Sequence, residues 1–115
     1  MLRGEVRWVN LDPALGSESA KRRPGVVVSN DGANEVASRL GRGVVTIVPV
    51  TSNVKRIYSF QVLLGAKECG LKTDSKAQAE QIRSVSVERI GDRVGGLPRA
   101  TMDKLDHAVR VHLDL

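Results

Sequence analysis

Cysteine, aromatic residues and long apolar runs are all scarce in this chain of 115 residues. Its single cysteine, Cys69, excludes a disulfide within the chain and a metal site built from several cysteines, and it fits a reducing compartment. The longest apolar run is too short to cross a bilayer, and the N-terminus lacks the apolar segment of a signal peptide. The sequence therefore predicts a cytoplasmic protein that does not enter a membrane.

Aromatic residues make up only 3% of the chain, and they are Trp8, Tyr58 and Phe60. Proteins that bind single strands mainly by stacking use successive aromatic rings, and three rings cannot form a large platform of that kind. Any recognition of nucleic acid must therefore depend on charge, grooves and hydrogen bonds, with one or two rings at most.

Motifs for metal, nucleotide and serine-hydrolase chemistry are also missing. No His, Asp and Glu residues have the spacing of metal ligands, and neither a Gly-x-x-x-x-Gly-Lys-Ser/Thr loop nor a Gly-x-Ser-x-Gly elbow occurs. His107 and His112 are five residues apart on a predicted helix. That spacing separates them by roughly 140° around the helix axis, so they do not form an acid–base pair. We expect no metal and no cofactor.

Positive charge, in contrast, is abundant. The net charge is +5, and residues 1–56 hold nine Lys and Arg against five Asp and Glu, whereas residues 57–115 hold nine against eight. This excess in the first half favours a polyanionic partner such as RNA. Basic clusters that serve only solubility are the alternative explanation.

The first two thirds of the chain have the pattern of β-strands. Apolar and polar residues alternate in the first segment, and β-branched residues are typical of strands buried on both faces. The predicted strands, five or so in number, are residues 5–10, 25–29, 43–50, 58–64, 75–85 and 93–96. One or two helical turns are expected within residues 31–39, and a loop is expected through residues 68–70.

The C-terminal segment has a different period. After Pro98, apolar residues recur at a spacing of three to four, at Met102, Leu105, Val109 and Leu113 or its neighbour His112. This pattern predicts an amphipathic helix that packs on the strands. Because no repeat or linker divides the sequence, we expect one domain over residues 1–115, mainly β with a C-terminal helix, as a small curved antiparallel sheet or barrel.

The loop between the first two predicted strands concentrates polar groups. Residues 16–24 read Gly-Ser-Glu-Ser-Ala-Lys-Arg-Arg-Pro. The flanking segments are Arg3-Gly4-Glu5-Val6, Trp8-Val9-Asn10-Leu11-Asp12-Pro13 and Val26-Val27-Val28-Ser29-Asn30-Asp31, and Glu80-Gln81-Ile82-Arg83 follows later. Together these motifs resemble the MazF/PemK family of toxin endoribonucleases, from about residue 3 to the C-terminus. The resemblance implies an SH3-like barrel of the PemK and CcdB kind, a homodimer, and inhibition by an acidic antitoxin similar to MazE.

Two polar residues are expected to meet at one edge of the sheet. Arg23 precedes the second predicted strand, and Thr51 follows the third. Consecutive strands usually pair, and antiparallel pairing places the start of one beside the end of the next. Each residue alone also has an ordinary explanation, since such an arginine often forms a surface ion pair and such a threonine often lies in a turn.

These groups suit cleavage of RNA by the ribose 2′-hydroxyl. The reaction needs a proton acceptor, stabilisation of charge on the phosphoryl group and protonation of the leaving oxygen. A guanidinium matches phosphate oxygens, and a threonine hydroxyl can hold one of them. By resemblance, Arg23 and Thr51 match the catalytic arginine and threonine of the family, and Glu18 matches its loop glutamate, a candidate base. The acid is not assigned.

Further residues are predicted to bind RNA. Those in the same loop or near the same sheet edge are Ser17, Lys21, Arg22, Asn30, Ser52, Asn53, Lys55 and Arg56. Those that match RNA-contacting positions of the family are Ser75, Glu80, Gln81 and Arg83. Structural networks explain such residues equally well, and Glu80 and Gln81 would point to opposite faces of an extended strand.

The sequence thus predicts the toxin of a toxin–antitoxin pair. The expected activity is sequence-specific, metal-independent cleavage of single-stranded RNA to a 2′,3′-cyclic phosphate and a 5′-hydroxyl, which blocks translation and growth. One alternative is a non-enzymatic toxin that binds a protein target, as the gyrase-inhibiting CcdB toxins do. Those toxins present an aromatic C-terminus, whereas this chain ends Val-His-Leu-Asp-Leu. A second alternative is an inactive RNA-binding homologue.

Overall fold

A computed structural model describes residues 1–11 and 22–115. The described residues form seven strands, three α-helices and two 3-10 turns. The strands are β1 (Glu5–Asn10), β2 (Arg22–Val27), β3 (Val44–Thr51), β4 (Gln61–Leu64), β5 (Ser75–Gln78), β6 (Arg83–Ser86) and β7 (Ile90–Gly96). The helices are α1 (Asp31–Leu40), α2 (Ala66–Cys69) and α3 (Arg99–Leu113), and the 3-10 turns are Ala79–Gln81 and Val87–Arg89.

Strand β3 is the centre of the sheet. The strands follow the order β4-β5-β3-β2-β1-β7, and β6 also pairs with β3. One edge of β3 pairs with β2, while its other edge pairs first with β6 and then with β5. All these pairings are antiparallel. Because β3 changes partner along its length, the sheet curves, which agrees with the predicted mainly β fold with a C-terminal helix.

Alternation along the strands produces two apolar clusters, one on each face. In β2, Val26 belongs to one cluster and Val27 to the other, and Val48 and Ile47 of β3 divide in the same way. Successive side chains of a strand point to opposite faces, so this division follows directly from the sequence. The first cluster also contains Leu105 of α3, and the second contains Ala37 of α1.

Helix α3 confirms the amphipathic pattern. Met102 and Leu105 are buried, Val109 packs against the same cluster, and Leu113 is 46% exposed. The predicted apolar stripe is therefore correct over most of the helix and is wrong at its last turn. Within the described residues, no helix is both long and apolar enough to span a membrane.

Helix α1 is longer than the one or two turns that the sequence predicts. Asn30 is its N-cap, and the side-chain oxygen of Asn30 accepts a hydrogen bond of 2.8 Å from the backbone N–H of Ala33. Gly41 ends the helix in the left-handed conformation. The two capping residues account for a regular helix of ten residues.

Two predictions for the second half of the chain are wrong. The single strand expected over residues 75–85 is two strands, β5 and β6, separated by the 3-10 turn Ala79–Gln81. The turn lets the chain move from pairing with the end of β3 to pairing with its beginning. The loop expected through residues 68–70 contains the end of α2, whose C-cap Gly70 is left-handed.

Candidate active site

A cavity of about 380 Å³ lies where β1, β2, β3 and β7 come together with residues 71–75. Its polar and charged lining residues are Arg23, Thr51, Ser52, Lys72, Thr73 and Ser75. Its apolar lining residues are Trp8, Pro24, Val50, Leu71 and Val94. We call this the Arg23–Thr51 cavity. Among the residues that the structure describes, no Asp or Glu lines it.

The pairing of β2 with β3 places Arg23 near Thr51. Gly25 is paired with Pro49. In an antiparallel pair, the residue two before Gly25 lies opposite the residue two after Pro49, and these are Arg23 and Thr51. Side chains two apart lie on the same face of a strand. The shared cavity therefore follows from the register, as the sequence predicts.

A tight turn after β3 sets the orientation of the Thr51 hydroxyl. Its Oγ1 accepts a hydrogen bond of 3.3 Å from the backbone N–H of Asn53. A hydroxyl has one hydrogen to donate and two lone pairs. Accepting from Asn53 therefore leaves the hydroxyl hydrogen of Thr51 available to a ligand in the cavity.

Arg22 contacts Trp8, one of the residues that line the cavity. The guanidinium carbon of Arg22 lies 5.1 Å from the centre of the Trp8 ring, a cation–π contact. Trp8 lines the cavity, whereas Arg22 is exposed outside it. Asn10 and Arg22 are paired where β1 ends and β2 begins.

The segment between β3 and β4 is tied down by a buried lysine. Nζ of Lys76, which is opposite Thr51 in the sheet, donates a hydrogen bond of 2.7 Å to the carbonyl oxygen of Arg56. The Arg56 guanidinium lies 5.5 Å from the centre of the Tyr58 ring, and that ring stacks on Phe60 at 5.3 Å. Three of the predicted RNA-binding residues, Asn53, Lys55 and Arg56, are exposed on this segment outside the cavity.

The residues predicted from the later family motif lie away from the cavity. Glu80 is in a 3-10 turn, where its Oε2 accepts a hydrogen bond of 2.7 Å from Nε2 of Gln61. The expectation that Glu80 and Gln81 point to opposite faces of a strand is wrong, because the segment is not extended. Arg83 belongs to β6 and is paired with Ile47. Only Ser75 of that predicted set lines the cavity.

Asn30 also lies elsewhere. It follows the end of β2, whereas Arg23 is at the beginning of that strand. The expectation that Asn30 shares the sheet edge of Arg23 is therefore wrong, and its side chain caps α1. Ser17, Glu18 and Lys21 lie outside the described residues.

Apart from Ser75, the sequence did not predict the cavity residues of the segment 71–75. Lys72 and Thr73 line the cavity on a segment that comes from a different part of the chain than Arg23 and Thr51. The signals in the sequence were Gly70 and Asp74. In the structure Gly70 is the C-cap of α2, with a left-handed backbone conformation. Oδ1 of Asp74 accepts a hydrogen bond of 2.8 Å from the first backbone N–H of α2. Helix-end signals of this kind mark a compact turn, but they do not say what it faces.

Other reactive side chains lie outside this cavity. Burial, with a smaller contribution from the charge of Glu68, raises the pKa of the Cys69 thiol, which therefore stays protonated at neutral pH. His112 packs beside Phe60, with ring centres 6.5 Å apart, and His107 lies on the same helix. Across residues 1–11 and 22–115, no three His, Cys, Asp or Glu residues are grouped as metal ligands.

Comparison with solved structures agrees with this architecture. The crystal structure of MazF (Form-I) from Deinococcus radiodurans has a TM-score of 0.82 at 25% identity, covering 100% of this chain and 97% of that one. An endoribonuclease in complex with its cognate antitoxin, from a mycobacterial species, has a TM-score of 0.77 at 25% identity, covering 100% and 96%. The mainly β fold is therefore shared with MazF structures.

Sequence comparison gives the family. Endoribonuclease MazF9 of Mycobacterium tuberculosis is 57% identical over 115 residues, which is 100% of this chain and 98% of that protein. Endoribonuclease EndoA of Bacillus subtilis is 31% identical over 114 residues, which is 98% and 94%. Residues 2–113 match the family described as PemK-like, MazF-like toxin of type II toxin–antitoxin system. With its fold and its sequence in agreement, this chain belongs to the PemK-like, MazF-like toxin family.

Proposed function

We propose that this chain is a toxin that cleaves single-stranded RNA at specific sequences without a metal ion or another cofactor. The observation that carries the proposal is the Arg23–Thr51 cavity, which combines a guanidinium and several hydroxyls with an apolar floor. Such a lining suits a phosphodiester with its attached sugar or base. MazF9 and EndoA, to which the chain is similar, are both named endoribonucleases.

The chemistry follows from the groups in the cavity. The ribose 2′-oxygen attacks the adjacent phosphorus and the bond from phosphorus to the 5′-oxygen breaks, which leaves a 2′,3′-cyclic phosphate and a 5′-hydroxyl. Arg23 neutralises the charge that develops on the phosphoryl oxygens, because its planar fork matches two of them. Thr51 donates its hydroxyl hydrogen to one of these oxygens and holds the group in line for attack. A guanidinium hardly deprotonates, so Arg23 does not protonate the leaving oxygen.

Glu18 is the base in this proposal and takes the proton of the 2′-hydroxyl. Its support is the resemblance to the family and its place in the sequence, between β1 and the strand β2 that carries Arg23. A positioned base contributes about 10² to 10⁴ to the rate of such a reaction.

The first experiment incubates the protein with a long RNA in EDTA. We expect discrete fragments from the wild type and a loss of rate of about 1000-fold in Arg23→Ala, because one charge-stabilising donor is removed. Arg42→Ala removes an exposed arginine between α1 and β3 and serves as the matched control, with cleavage like the wild type. Wild-type cleavage by a folded Arg23→Ala variant would remove Arg23 from the mechanism.

The second experiment tests the nucleophile. An RNA with a single 2′-deoxy nucleotide at the cleaved position should bind and stay intact, because the attacking oxygen is absent. Fragments of the unmodified RNA should accept phosphate from polynucleotide kinase without phosphatase treatment, as 5′-hydroxyl ends do. Cleavage of the deoxy substrate at that position would contradict attack by the 2′-oxygen.

The third experiment tests Glu18. Its replacement in Glu18→Gln should lower the cleavage rate about 100-fold and remove the fall in rate on the acidic side of the pH profile, since an amide takes up no proton there. Glu35→Gln, a change on the exposed face of α1, is the control. A pH profile with the wild-type acidic limb in Glu18→Gln would exclude Glu18 as the base.

The proposal also includes a homodimer, an acidic antitoxin of the MazE kind and a cytoplasmic location. The mycobacterial endoribonuclease to which the chain is similar is described in complex with its cognate antitoxin, and a net charge of +5 suits an acidic partner. Light scattering should give twice the chain mass of 12.4 kDa, and a monomer mass at micromolar concentration would contradict the dimer. A protein-binding toxin of the CcdB kind is not favoured, because the relatives are named endoribonucleases.

A further inference from the structure

We propose that Lys72 binds a phosphate of the RNA next to the one that is cleaved, and so determines how the strand lies across the cavity. The inference rests on the proposed ribonuclease function and extends it to the part of the Arg23–Thr51 cavity that is formed by the segment between α2 and β5. It assigns Lys72 a role in binding and none in the chemical step.

The charge of the cavity is the first argument. Arg23 and Lys72 are its two charged lining residues, and none of its described lining residues is acidic. Lys72 therefore adds a positive charge to a lining whose described residues include no carboxylate, and such a lining attracts a polyanion. When Arg23 and Thr51 hold the phosphoryl group that is cleaved, Lys72 lies in the same cavity and favours the neighbouring phosphate.

The order of groups around the cavity is the second argument. Arg23 and Thr51 lie on the β2 and β3 side, whereas Lys72 and Thr73 come from the segment between α2 and β5. The rest of the lining includes the apolar side chains Trp8, Pro24, Val50, Leu71 and Val94. A polynucleotide has the same alternation of charged phosphate and less polar sugar and base. Polar groups from two segments, together with apolar residues that line the same cavity, therefore match two consecutive phosphates and the nucleoside between them.

The fixed conformation of the wall is the third argument. Oδ1 of Asp74 accepts a hydrogen bond of 2.8 Å from the backbone N–H of Ala66, and Oγ of Ser75 donates one of 3.1 Å to the carbonyl oxygen of Thr73. The backbone N–H of Leu71 also bonds to the Ala66 carbonyl oxygen at 2.9 Å. Lys72 therefore extends from a turn whose conformation is fixed by hydrogen bonds. Binding a ligand through such a turn loses less conformational entropy than binding through a flexible loop.

The test compares Lys72→Met with Lys67→Met. Lys67 is exposed on α2, five residues earlier, and does not line this cavity, so it controls for charge and composition. Lys72→Met should raise KM about tenfold at low salt and change kcat less than twofold, because a phosphate contact is lost from both the ground state and the transition state. Lys72→Arg should restore most of the affinity.

Salt dependence separates a direct contact from a general charge effect. With an uncleavable RNA that carries a 2′-deoxy nucleotide at the cleaved position, the slope of log affinity against log salt should fall by about 0.7 in Lys72→Met, the value for one phosphate on a single strand. Lys67→Met should keep the wild-type slope. Wild-type KM and slope in Lys72→Met would overturn the inference, as would an equal change in Lys67→Met.

The two proposals fail in different ways. If the wild type cleaves RNA and Lys72→Met does so with unchanged KM, the role of Lys72 is wrong and the nuclease function stands. If the wild type neither binds nor cleaves any RNA of a mixed pool, the nuclease function itself is wrong, and the inference about Lys72 falls with it.

Discussion

Two depressions on the described surface differ in size and in the state of their charges. The larger one, about 860 Å³, is lined by the N-terminal segment, α2 and the end of β7. Two of its charged groups have charged protein partners, since Arg3 forms an ion pair of 2.6 Å with Asp106 and Glu5 forms one of 2.9 Å with Arg7. The Arg23–Thr51 cavity has less than half that volume and no acidic lining residue among those described.

The comparison shows that the volume of a depression does not decide whether its lining suits a phosphate. In the larger depression both signs of charge are present, and the carboxylates of Glu5 and Glu68 would repel a phosphate. In the smaller cavity the charged residues of the described lining, Arg23 and Lys72, are both cations, which attract a phosphate. The two sites share one lining residue, Val94 of β7. Substitutions of residues that line only one of them therefore test each site on its own.

The largest expected effect comes from substitution of Gly95 in β7, which lies against the end of α2 in the larger depression. A Cβ added to Gly95 would lie 2.0 Å from the carbonyl oxygen of Cys69, a backbone atom at the end of α2. The helix would have to move away from β7, so Gly95→Ala should lower the free energy of unfolding by about 3 kcal/mol or more. Urea denaturation measures this change.

Gly65→Ala is the matched control for that variant. A Cβ there would meet only the flexible side chain of Glu68, at 3.4 Å, so its stability should change by less than about 1 kcal/mol. Equal stability of Gly95→Ala and Gly65→Ala would show that the close approach of α2 and β7 does not constrain residue 95.

An intermediate effect is expected from Thr51→Val, which changes the smaller cavity alone. The substitution removes a hydroxyl with almost no change in shape, and kcat should fall about 100-fold because one hydrogen bond to the phosphoryl group is lost. Thr46→Val is the control, since the Thr46 hydroxyl lies 3.4 Å from Oγ of Ser84 and outside the cavity. A kcat within twofold of the wild type in Thr51→Val would exclude the hydroxyl from the reaction.

The smallest effect is expected from Glu5→Gln, which changes the larger depression. Burial raises the pKa of Glu5, but the hydrogen bond and charge of Arg7, together with a backbone hydrogen bond at Leu2, outweigh it and hold that pKa below its ordinary value. A lowered pKa in the folded state stabilises the protein above the unfolded value, and this stability is lost as the pH falls through the folded value. Glu5→Gln should therefore cost about 1 kcal/mol at neutral pH and progressively less below about pH 4.

Urea denaturation from pH 7 down to acid measures this difference, and RNA cleavage should stay at the wild-type rate. Glu35→Gln removes a more exposed ion pair with Arg39 and should cost less than Glu5→Gln at neutral pH. If the destabilisation by Glu5→Gln is the same at acid and at neutral pH, the ion pair with Arg7 is not its cause.

The sequence was sufficient for the parts of the fold that local patterns determine. Alternation and β-branched residues predicted most strands, and the apolar spacing after Pro98 predicted α3. Strand order alone also predicted that Arg23 and Thr51 would share one edge, and they line one cavity. Their catalytic roles stay predictions, and so does the role of Glu18.

The errors occur where distant parts of the chain decide the local structure. The chain breaks between β5 and β6 because both strands pair with β3, which a window of neighbouring residues does not reveal. The place of Lys72 in the cavity was missed for the same reason, since the other lining residues include members of β1, β2, β3 and β7. Short polar segments predict turns, but the surface that a turn faces is a property of the whole fold.

The pairing of β1 with β7 has a consequence for synthesis of the protein. Trp8 comes from the beginning of the chain and Val94 from near its end, yet both line the cavity that holds Arg23. A nascent chain still lacking β7 at the ribosome has an incomplete cavity, and contacts between such distant residues form slowly. The Arg23–Thr51 cavity is therefore complete only when translation of the chain is nearly finished.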